Sequence, residues 1–199
     1  MSIVTVLEEI DLSLHNLIDK ADWTAPGTIS DFQKPLITFD SPKDVQGQIS
    51  TGNKLCIYLY QIMENVYLKN HEPEIIEENR TSFSPLYLDL HYLIVPFCEK
   101  KRDEKLILGT IIQIFANQSV LHENLLKGNL GKTDQIMRIL FNPLTVDELT
   151  KIWSAFQTTG YHPALSYIVT PVPVDISLES TFQRVVSKQF QYCSGYPED

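Results

Sequence analysis

This chain has few of the residues that form disulfide frameworks, metal centres or membrane spans. Its 199 residues include three cysteines, Cys56, Cys98 and Cys193. Their spacing matches no zinc or redox motif, and the odd number argues against a disulfide framework. No apolar run approaches the roughly 20 residues that cross a bilayer, and Glu8 and Asp11 interrupt the segment where a signal peptide has its apolar core. We therefore expect synthesis in the reducing cytoplasm and no membrane insertion.

Basic residues are too few for a nucleic-acid surface. The chain has 16 basic and 25 acidic residues, which gives a formal charge of -9. Phosphate binding requires a basic stripe, whereas the cationic run at 100–102 lies between acidic residues and is typical of a solvated turn. We expect no nucleic-acid partner.

Reactive motifs are missing as well. The segment Gly128–Thr133 has Leu126 where a phosphate-binding loop needs its first glycine, and no Gly-x-Ser-x-Gly motif is present. Asp89 and His91 share one face of a strand, so the carboxylate could orient the imidazole as in a catalytic dyad. A cross-strand polar pair or an interface contact is the more common role for such residues. We predict no catalytic residue, no cofactor and no metal site, and therefore no enzyme.

The chain does contain long apolar strands. Residues 86–97 alternate with period two, and one face of this strand carries Leu86, Leu88, Leu90, Tyr92 and Ile94. A second strand, at about 54–68, is apolar on both faces in its first half, so it needs cover on both sides from helices or from another subunit. The polar stretch 70–84 connects the two strands and predicts the tip of a long hairpin.

Three helices are predicted from periodicity and capping signals. The first runs from about 2 to 21, and its apolar face consists of Ile3, Leu7, Ile10, Leu14 and Leu17. A coiled coil would fit this spacing, but a helix packed on a sheet is favoured because the pattern is short. A second helix is expected at about 103–118 with Asp103 as its N-cap. A third begins at a capping box formed by Thr145 and Glu148 and ends near Gly160.

The remaining segments complete an α+β fold. We expect short strands at 36–39 and 136–141, a mobile loop at 43–53 and irregular structure at 119–133. A strand at 164–176 contains Pro171 and Pro173 in its second half, which should lie at an edge or leave the sheet. Helix and strand patterns both partly fit the tail from Ser177, and its β-branched and aromatic residues favour an extended arm.

The predicted fold is a mixed, mainly antiparallel sheet of about four to five strands with helices packed on it, a long β-hairpin and an extended C-terminal arm. Residues 1–176 would form one domain and residues 177–199 the arm. A chain of this length can bury about 70% of its unfolded surface without a disulfide or metal.

Several segments, taken in order, resemble the tail-terminator, or cap, proteins of extracellular contractile injection systems of the Photorhabdus virulence cassette and antifeeding prophage type. They are the N-terminal helix, Tyr58-Leu59-Tyr60 with Asn65, and the segments 85–93, 108–113, 149–153 and 163–167. The resemblance covers roughly residues 2–176. Its strongest part is the leucine-aspartate-leucine strand followed by a leucine-glycine helix.

The resemblance implies a structural subunit without catalytic residues. Such a protein forms a hexameric ring on the distal end of the inner tube and contractile sheath and stops their polymerisation. The partners would be five further copies and the sheath and inner-tube proteins, in a particle that is released or membrane-associated. Extended arms often make such contacts, so we assign interface roles in the tail to Phe182, Arg184, Val186, Phe190 and Tyr192.

The pattern of apolar strands, considered without the family resemblance, also favours a protein that assembles with other subunits. A ring requires complementary surfaces on each subunit, and pairing of edge strands between subunits or with a sheath arm would supply them. Two alternatives remain at this stage. One is a non-catalytic assembly adaptor or chaperone, and the other is an enzyme with a dispersed site around Asp89 and His91.

Overall fold

The computed structural model describes residues 3–23, 32–47, 52–69, 74–77, 80–82, 85–132, 136–156, 159–174 and 179–181. Its elements follow in the order α1 (Ile3–Asp19), β1 (Leu36–Thr38), α2 (Pro42–Gly47), β2 (Lys54–Glu64), β3 (Glu74–Glu77), β4 (Arg80–Ser82), β5 (Leu86–Phe97), α3 (Lys101–Asn117), β6 (Val120–Leu121), a 3-10 turn (Leu130–Lys132), β7 (Met137–Phe141), α4 (Val146–Ser154), β8 (Leu165–Val174) and β9 (Glu179–Thr181).

The strands form two sheets. The larger has six strands in the order β1-β2-β5-β8-β7-β6, and the smaller has three in the order β3-β4-β9. Within the larger sheet β1 is parallel to β2, and every other pair is antiparallel. The prediction of a mixed, mainly antiparallel sheet is confirmed, with one strand more than expected.

Helices of the chain itself cover both faces of the long strands. On one face, Leu90 and Tyr92 of β5 share a core with Ile10 of α1 and Ile111 of α3, all almost fully buried. Each such aliphatic side chain contributes about 1.5–3 kcal/mol by leaving water. The arrangement confirms the helix-on-sheet interpretation of α1, because its apolar face lies in the core of its own chain.

The opposite face has a smaller core at one end of the sheet. Leu93, Val95 and Phe97 of β5 pack there with Val45 of α2 and Trp153 of α4. The rest of this face, toward the start of β5, carries polar side chains and is the setting of the candidate surfaces described below.

The helix α2 corrects the prediction of a loop at 43–53. Ser41 Oγ accepts a hydrogen bond from the Asp44 amide at 3.3 Å and donates one to the Asp44 carboxylate at 2.6 Å. Serine as N-cap, Pro42 at the first helical position and a carboxylate two residues later form a complete start signal. The signal was missed because the helix has six residues and buries Val45 rather than a periodic face.

The start of α3 is a second correction. The helix begins at Lys101, and its N-cap Lys100 makes no side-chain cap hydrogen bond. Asp103, predicted as the cap, lies instead in the first turn with Glu104, and both are buried. Carboxylates are favourable in this turn because the unpaired amides of the helix start carry partial positive charge.

Other boundaries moved by a few residues. Strand β2 ends at Glu64 rather than near 68, and β5 continues through Pro96 to Phe97. The capping box is confirmed, but α4 ends at Ser154 rather than near Gly160. The segment 119–133, predicted as irregular, contains the two-residue strand β6 and the 3-10 turn.

The prolines of β8 act as predicted. The first half of β8 lies between β5 and β7, but the pairing with β7 ends at Thr170. Beyond that point β5 is the only described strand that pairs with β8, and Pro173 stands opposite Tyr87. A residue without an amide donor is tolerated there because no described strand forms a ladder with the other side of β8.

The hairpin between β2 and β5 is also confirmed, and it carries the smaller sheet. Strands β3 and β4 pair with each other in the segment predicted as the hairpin tip. The C-terminal segment contributes β9, which pairs with β4 in an antiparallel manner. Residues 182–199 lie outside the described part of the chain.

Candidate interaction surfaces

Asp89 and His91 lie on the same face of β5, as predicted, but they do not form a dyad. The Asp89 carboxylate accepts hydrogen bonds from Asn65 Nδ2 at 2.9 Å and from the Thr170 hydroxyl. The His91 ring packs edge-on against Tyr60, with 5.9 Å between the centroids. Its Nδ1 atom is buried and has no hydrogen-bond partner among the described residues.

The electrostatics of His91 agree with this geometry. Burial lowers the pKa of His91, and the charge of Asp89 opposes that shift without outweighing it. An imidazole oriented as a general base would need to donate a hydrogen bond from one ring N–H to the carboxylate. Asp89 uses its oxygen for Asn65 and Thr170 instead, so it anchors neighbouring elements rather than a catalytic histidine.

The residue that Asp89 anchors, Asn65, organises the turn after β2. Besides donating to Asp89, the Asn65 side chain accepts hydrogen bonds from the amides of Tyr67 at 3.0 Å and Leu68 at 3.1 Å. Asn65 itself is buried, whereas Val66 is 70% exposed and Tyr67 92% exposed. A buried polar network therefore fixes a turn that presents two apolar side chains to solvent. We call residues 65–68 the Asn65 turn.

A second polar network ties β2 to β8 across β5. Tyr60 Oη lies 3.1 Å from Ser166 Oγ. Asn142 Nδ2 donates to both, at 3.2 Å and 3.1 Å. Because every member has a partner, the network holds this face of the sheet in one arrangement.

The outer side of β2 is a strand edge with which few described residues pair. Strand β1 pairs only with Lys54–Cys56. From Ile57 to Glu64 no strand pairs with the outer side of β2 within the described residues, and Ile62 and Met63 are 48% and 47% exposed. We call residues 57–64 the β2 edge. It contains neither lysine nor proline, the residues that commonly protect edges from further pairing.

A cleft of about 400 Å³ lies between the C-terminal parts of α1 and α3. Its wall contains the apolar side chains Leu17 and Ile114, and amides such as Asn16, Gln113 and Asn117. The lining lacks a nucleophile next to a base, so it offers shape and hydrogen bonds rather than reactive groups.

The two cysteines among the described residues, Cys56 and Cys98, have unreactive thiols. Burial raises the pKa of Cys56 to about 12, and it raises the pKa of Cys98 to about 12 as well. Thiols with such pKa values carry almost no thiolate at neutral pH. The described ranges also contain no group of three or more His, Cys, Asp or Glu side chains placed to hold a metal ion.

The ionisable cluster at the start of α3 is structural. Glu104 Oε1 accepts from Lys101 Nζ at 2.8 Å, and His162 Nδ1 lies 3.6 Å from the same oxygen. The His162 ring packs against Phe97 with 4.8 Å between the centroids. Burial lowers the pKa of His162, with a further contribution from the charge of Lys101, while Glu104 opposes the shift.

The predicted interface residues Phe182, Arg184, Val186, Phe190 and Tyr192 all lie outside the described residues. Sequence reasoning did not single out the Asn65 turn as a surface. The signal that could have found it is Asn65 followed at once by Val66 and Tyr67, because an asparagine that ends a strand commonly fixes a turn.

Together these features define a class of protein, an α+β domain whose sheet is covered by its own helices and whose notable surfaces are a strand edge and a fixed turn. No helix within the described ranges is both long and apolar enough to cross a membrane.

Residues 9–188 match the Pvc16 N-terminal domain family, and the chain belongs to that family. The fold is similar to that of a Photorhabdus virulence cassette protein, described as the sheath/tube terminator of an extracellular contractile injection system in its extended state. That similarity has a TM-score of 0.63 and 17% identity over 98% of this chain and 65% of the other.

The fold is also similar to the tube-terminating cap of the anti-feeding prophage, with a TM-score of 0.56 and 16% identity over 96% of this chain and 62% of the other. The chain thus spans less than two thirds of the length of either structure. A comparison with curated proteins gave no match. The resemblance identified from the sequence is confirmed by the family and by these structures.

Proposed function

We propose that this protein is a cap subunit of a phage-tail-like contractile injection particle. Six copies would form a ring on the distal end of the inner tube and sheath and would stop their polymerisation. The observation that carries the proposal is the family match over residues 9–188. The likeness in fold to a sheath/tube terminator and to a tube-terminating cap supports it.

The physical character of the domain supports a role by binding alone. Its long strands pack against its own helices, which leaves a rigid body with defined surfaces. The Asn65 turn and the β2 edge are suited to contacts with other chains, since one offers fixed apolar side chains and the other backbone groups with which no described strand pairs. The formal charge of -9 would keep the free subunit soluble before it docks.

Assembly would take place in the cytoplasm, where the subunit meets newly polymerised tube and sheath. The finished particle is then released or becomes membrane-associated, and the cap remains part of it. A ring cap requires each subunit to carry two different surfaces that meet head to tail and close after six copies.

The test is mass photometry of the purified chain, alone and mixed with its tube and sheath proteins, followed by electron microscopy of tube lengths. We expect a discrete six-fold species, alone or on mixing, and tubes that stop growing when the chain is added. The Thr150→Ala variant, changed at an exposed position of α4, should act like the unaltered chain. A chain that stays monomeric with both partners contradicts the proposal. Binding without any effect on tube length would favour an assembly adaptor.

A further inference from the structure

The cleft between α1 and α3 has a floor that belongs to the main core. Both helices pack on the same face of the larger sheet, and their C-terminal parts form the walls of this cleft of about 400 Å³. Leu17 is buried in the core, and Ile114 and Leu125 pack against it while they line the cleft. An apolar side chain inserted here would extend the core and leave water. The volume lies within the range of about 300–1,000 Å³ that ligand sites have.

Side-chain amides surround this floor. Five of the lining residues are asparagine or glutamine, namely Asn16, Gln113, Asn117, Gln118 and Asn124. We call these five residues the amide rim. Each of their side chains offers both a donor and an acceptor, as a peptide group does. An extended peptide has backbone N–H and C=O groups that need such partners, whereas a helix satisfies most of its own.

The part of α3 that borders the cleft is uncharged. Residues 106–121 contain no Asp, Glu, Lys, Arg or His, in a chain with 16 basic and 25 acidic residues. Solvent nevertheless reaches this part of the helix, since Leu106 is 37% and Ile112 47% exposed. The solvent face of a surface helix normally carries charged and polar residues, and a depletion of charged residues is the compositional mark of the centre of a protein–protein interface. This part of α3 therefore has the composition of a contact surface.

The lining favours a peptide over a small charged or aromatic ligand. Within the described lining the charged residues are Lys20 and Asp22, one of each sign. The cleft therefore has no excess of positive charge with which to hold a phosphate or a carboxylate. The described lining also contains no aromatic side chain, whereas apolar and aromatic groups predominate in small-molecule sites. An uncharged peptide fits both facts, because it requires hydrogen-bond partners and an apolar contact.

We propose that the cleft between α1 and α3 binds an extended, uncharged peptide segment of a different protein of the particle. One aliphatic side chain of the segment would lie on the floor formed by Leu17, Ile114 and Leu125, and its backbone would bond to the amide rim. This inference rests on the proposed function, because that function supplies the sheath and inner-tube chains from which the segment would come. The site would attach the cap to a partner chain, separately from the contacts that close the ring.

Two substitutions in the amide rim change its charge in opposite senses. Gln113→Glu keeps the shape of the side chain and replaces an amide donor by a negative charge, and Asn117→Lys places a positive charge one turn further along α3. Both positions are exposed, and a lysine in the last turn of a helix is favourable, so both variants should fold. Thr150→Glu and Thr150→Lys are the matched controls, because Thr150 is an exposed position of α4, which packs on the opposite face of the sheet.

The measurement is fluorescence anisotropy of labelled synthetic peptides with the full chain. The probes are overlapping short peptides that cover the sheath and inner-tube proteins, together with peptides of the chain itself. We expect at least one uncharged sheath or tube peptide to bind, with an affinity that stays the same between about 0.1 M and about 1 M salt, since the contact involves no charges. Gln113→Glu and Asn117→Lys should each weaken this binding at least about tenfold, because a charge buried without a partner opposes binding whatever its sign. The two Thr150 controls should bind like the unaltered chain.

Three results would overturn the inference. In the first, no sheath or tube peptide binds, or only peptides of the chain itself do, which would make the cleft a contact between copies. In the second, the folded Gln113→Glu and Asn117→Lys variants bind the peptide as the unaltered chain does. In the third, one of them strengthens binding while the other weakens it, which identifies a charged ligand. A chain that forms a ring and stops tube growth but binds no peptide loses this inference alone, whereas a chain that binds a neutral peptide but has no effect on tubes loses only the proposed function.

Discussion

Replacing Asn65 with alanine should destabilise the domain and release the turn that it fixes. The side chain makes four hydrogen bonds, to Asp89, Thr170 and the amides of Tyr67 and Leu68. A hydrogen bond to a charged group contributes about 1.5–3 kcal/mol, and one to a neutral group about 0.5–1.5 kcal/mol. The two turn amides lie near solvent and can bond to water, so we expect a total loss of about 2–4 kcal/mol in the free energy of unfolding.

The assay is denaturant unfolding followed by the fluorescence of Trp23 and Trp153, both of which are buried and report on the two sides of the sheet. The slope of the unfolding free energy against denaturant concentration should stay unchanged. An unchanged slope shows that the substitution altered the stability and not the compactness of the native or denatured state. The control is Asn124→Ala, at an exposed asparagine in a turn, where we expect a change within about 0.5 kcal/mol. Equal losses in the two variants would refute the anchoring role of Asn65.

The variant Asn65→Asp separates the donor from the acceptor function of this side chain. The aspartate keeps one oxygen that can accept from the amides of Tyr67 and Leu68. Its second oxygen replaces the Nδ2 donor of Asn65 and therefore faces the Asp89 carboxylate. Two like charges at hydrogen-bond distance repel, so the loss at pH 7 should exceed that of the alanine variant. It should shrink as the pH is lowered toward 4, because a proton shared by the two carboxyl groups replaces the lost donor. A pH-independent loss would contradict this account.

Three further outcomes are expected from the same structure. Thr145→Ala removes the cap of α4 and should cost about 1 kcal/mol; the Thr145 amide and, to a smaller extent, its hydroxyl lower the pKa of Glu148, and because alanine removes only the hydroxyl, the part of the cost due to that bond should diminish as the pH falls through the lowered pKa. Burial lowers the pKa of His91 and of His162, so the unfolded chain binds more protons below about pH 6.5 and melting temperatures should fall as the pH is lowered from 7.5 to 5. Cys56, with its pKa raised to about 12, should react with iodoacetamide only after unfolding.

Each of these has a control and a contrary result. Thr150→Ala removes a hydroxyl within α4 that bonds back to Val146 O, and it should leave the helix start intact; an equal loss there would contradict the capping assignment. The double variant His91→Gln/His162→Gln should flatten the dependence of melting temperature on pH, and an unchanged slope would assign the titration to other groups. Thiol labelling is read in a Cys98→Ser/Cys193→Ser background, because Cys98 is partly exposed; rapid labelling of the native protein there would contradict the burial of Cys56.

Local patterns in the sequence were sufficient to predict the helices and strands that bury a periodic apolar face. Helix α1 and strand β5 were predicted because apolar residues recur at helical or strand spacing over many positions. The start of α4 was predicted because Thr145 and Glu148 satisfy each other's backbone amides within four residues. The short helix α2 was missed because six residues hold less than two full turns of pattern.

The roles of individual polar residues required the tertiary structure. Asp89 binds Asn65, 24 residues earlier, and Thr170, 81 residues later. Nothing near Asp89 in the sequence indicates those partners, whereas His91, two residues away, suggested a dyad that the structure does not form. Long-range pairing of strands decides which polar side chains meet, and local spacing does not.

The sequence by itself therefore determined the fold class, the two-sided packing of the long strands and the family, because these depend on periodicity and on the order of segments along the chain. The tertiary structure decided that β1 pairs with β2 only as far as Cys56, that β7 pairs with β8 only as far as Thr170, and that Asn65 fixes an exposed turn. These features depend on where one strand ends against another. That is set by contacts between residues far apart in the chain, and no local pattern encodes it.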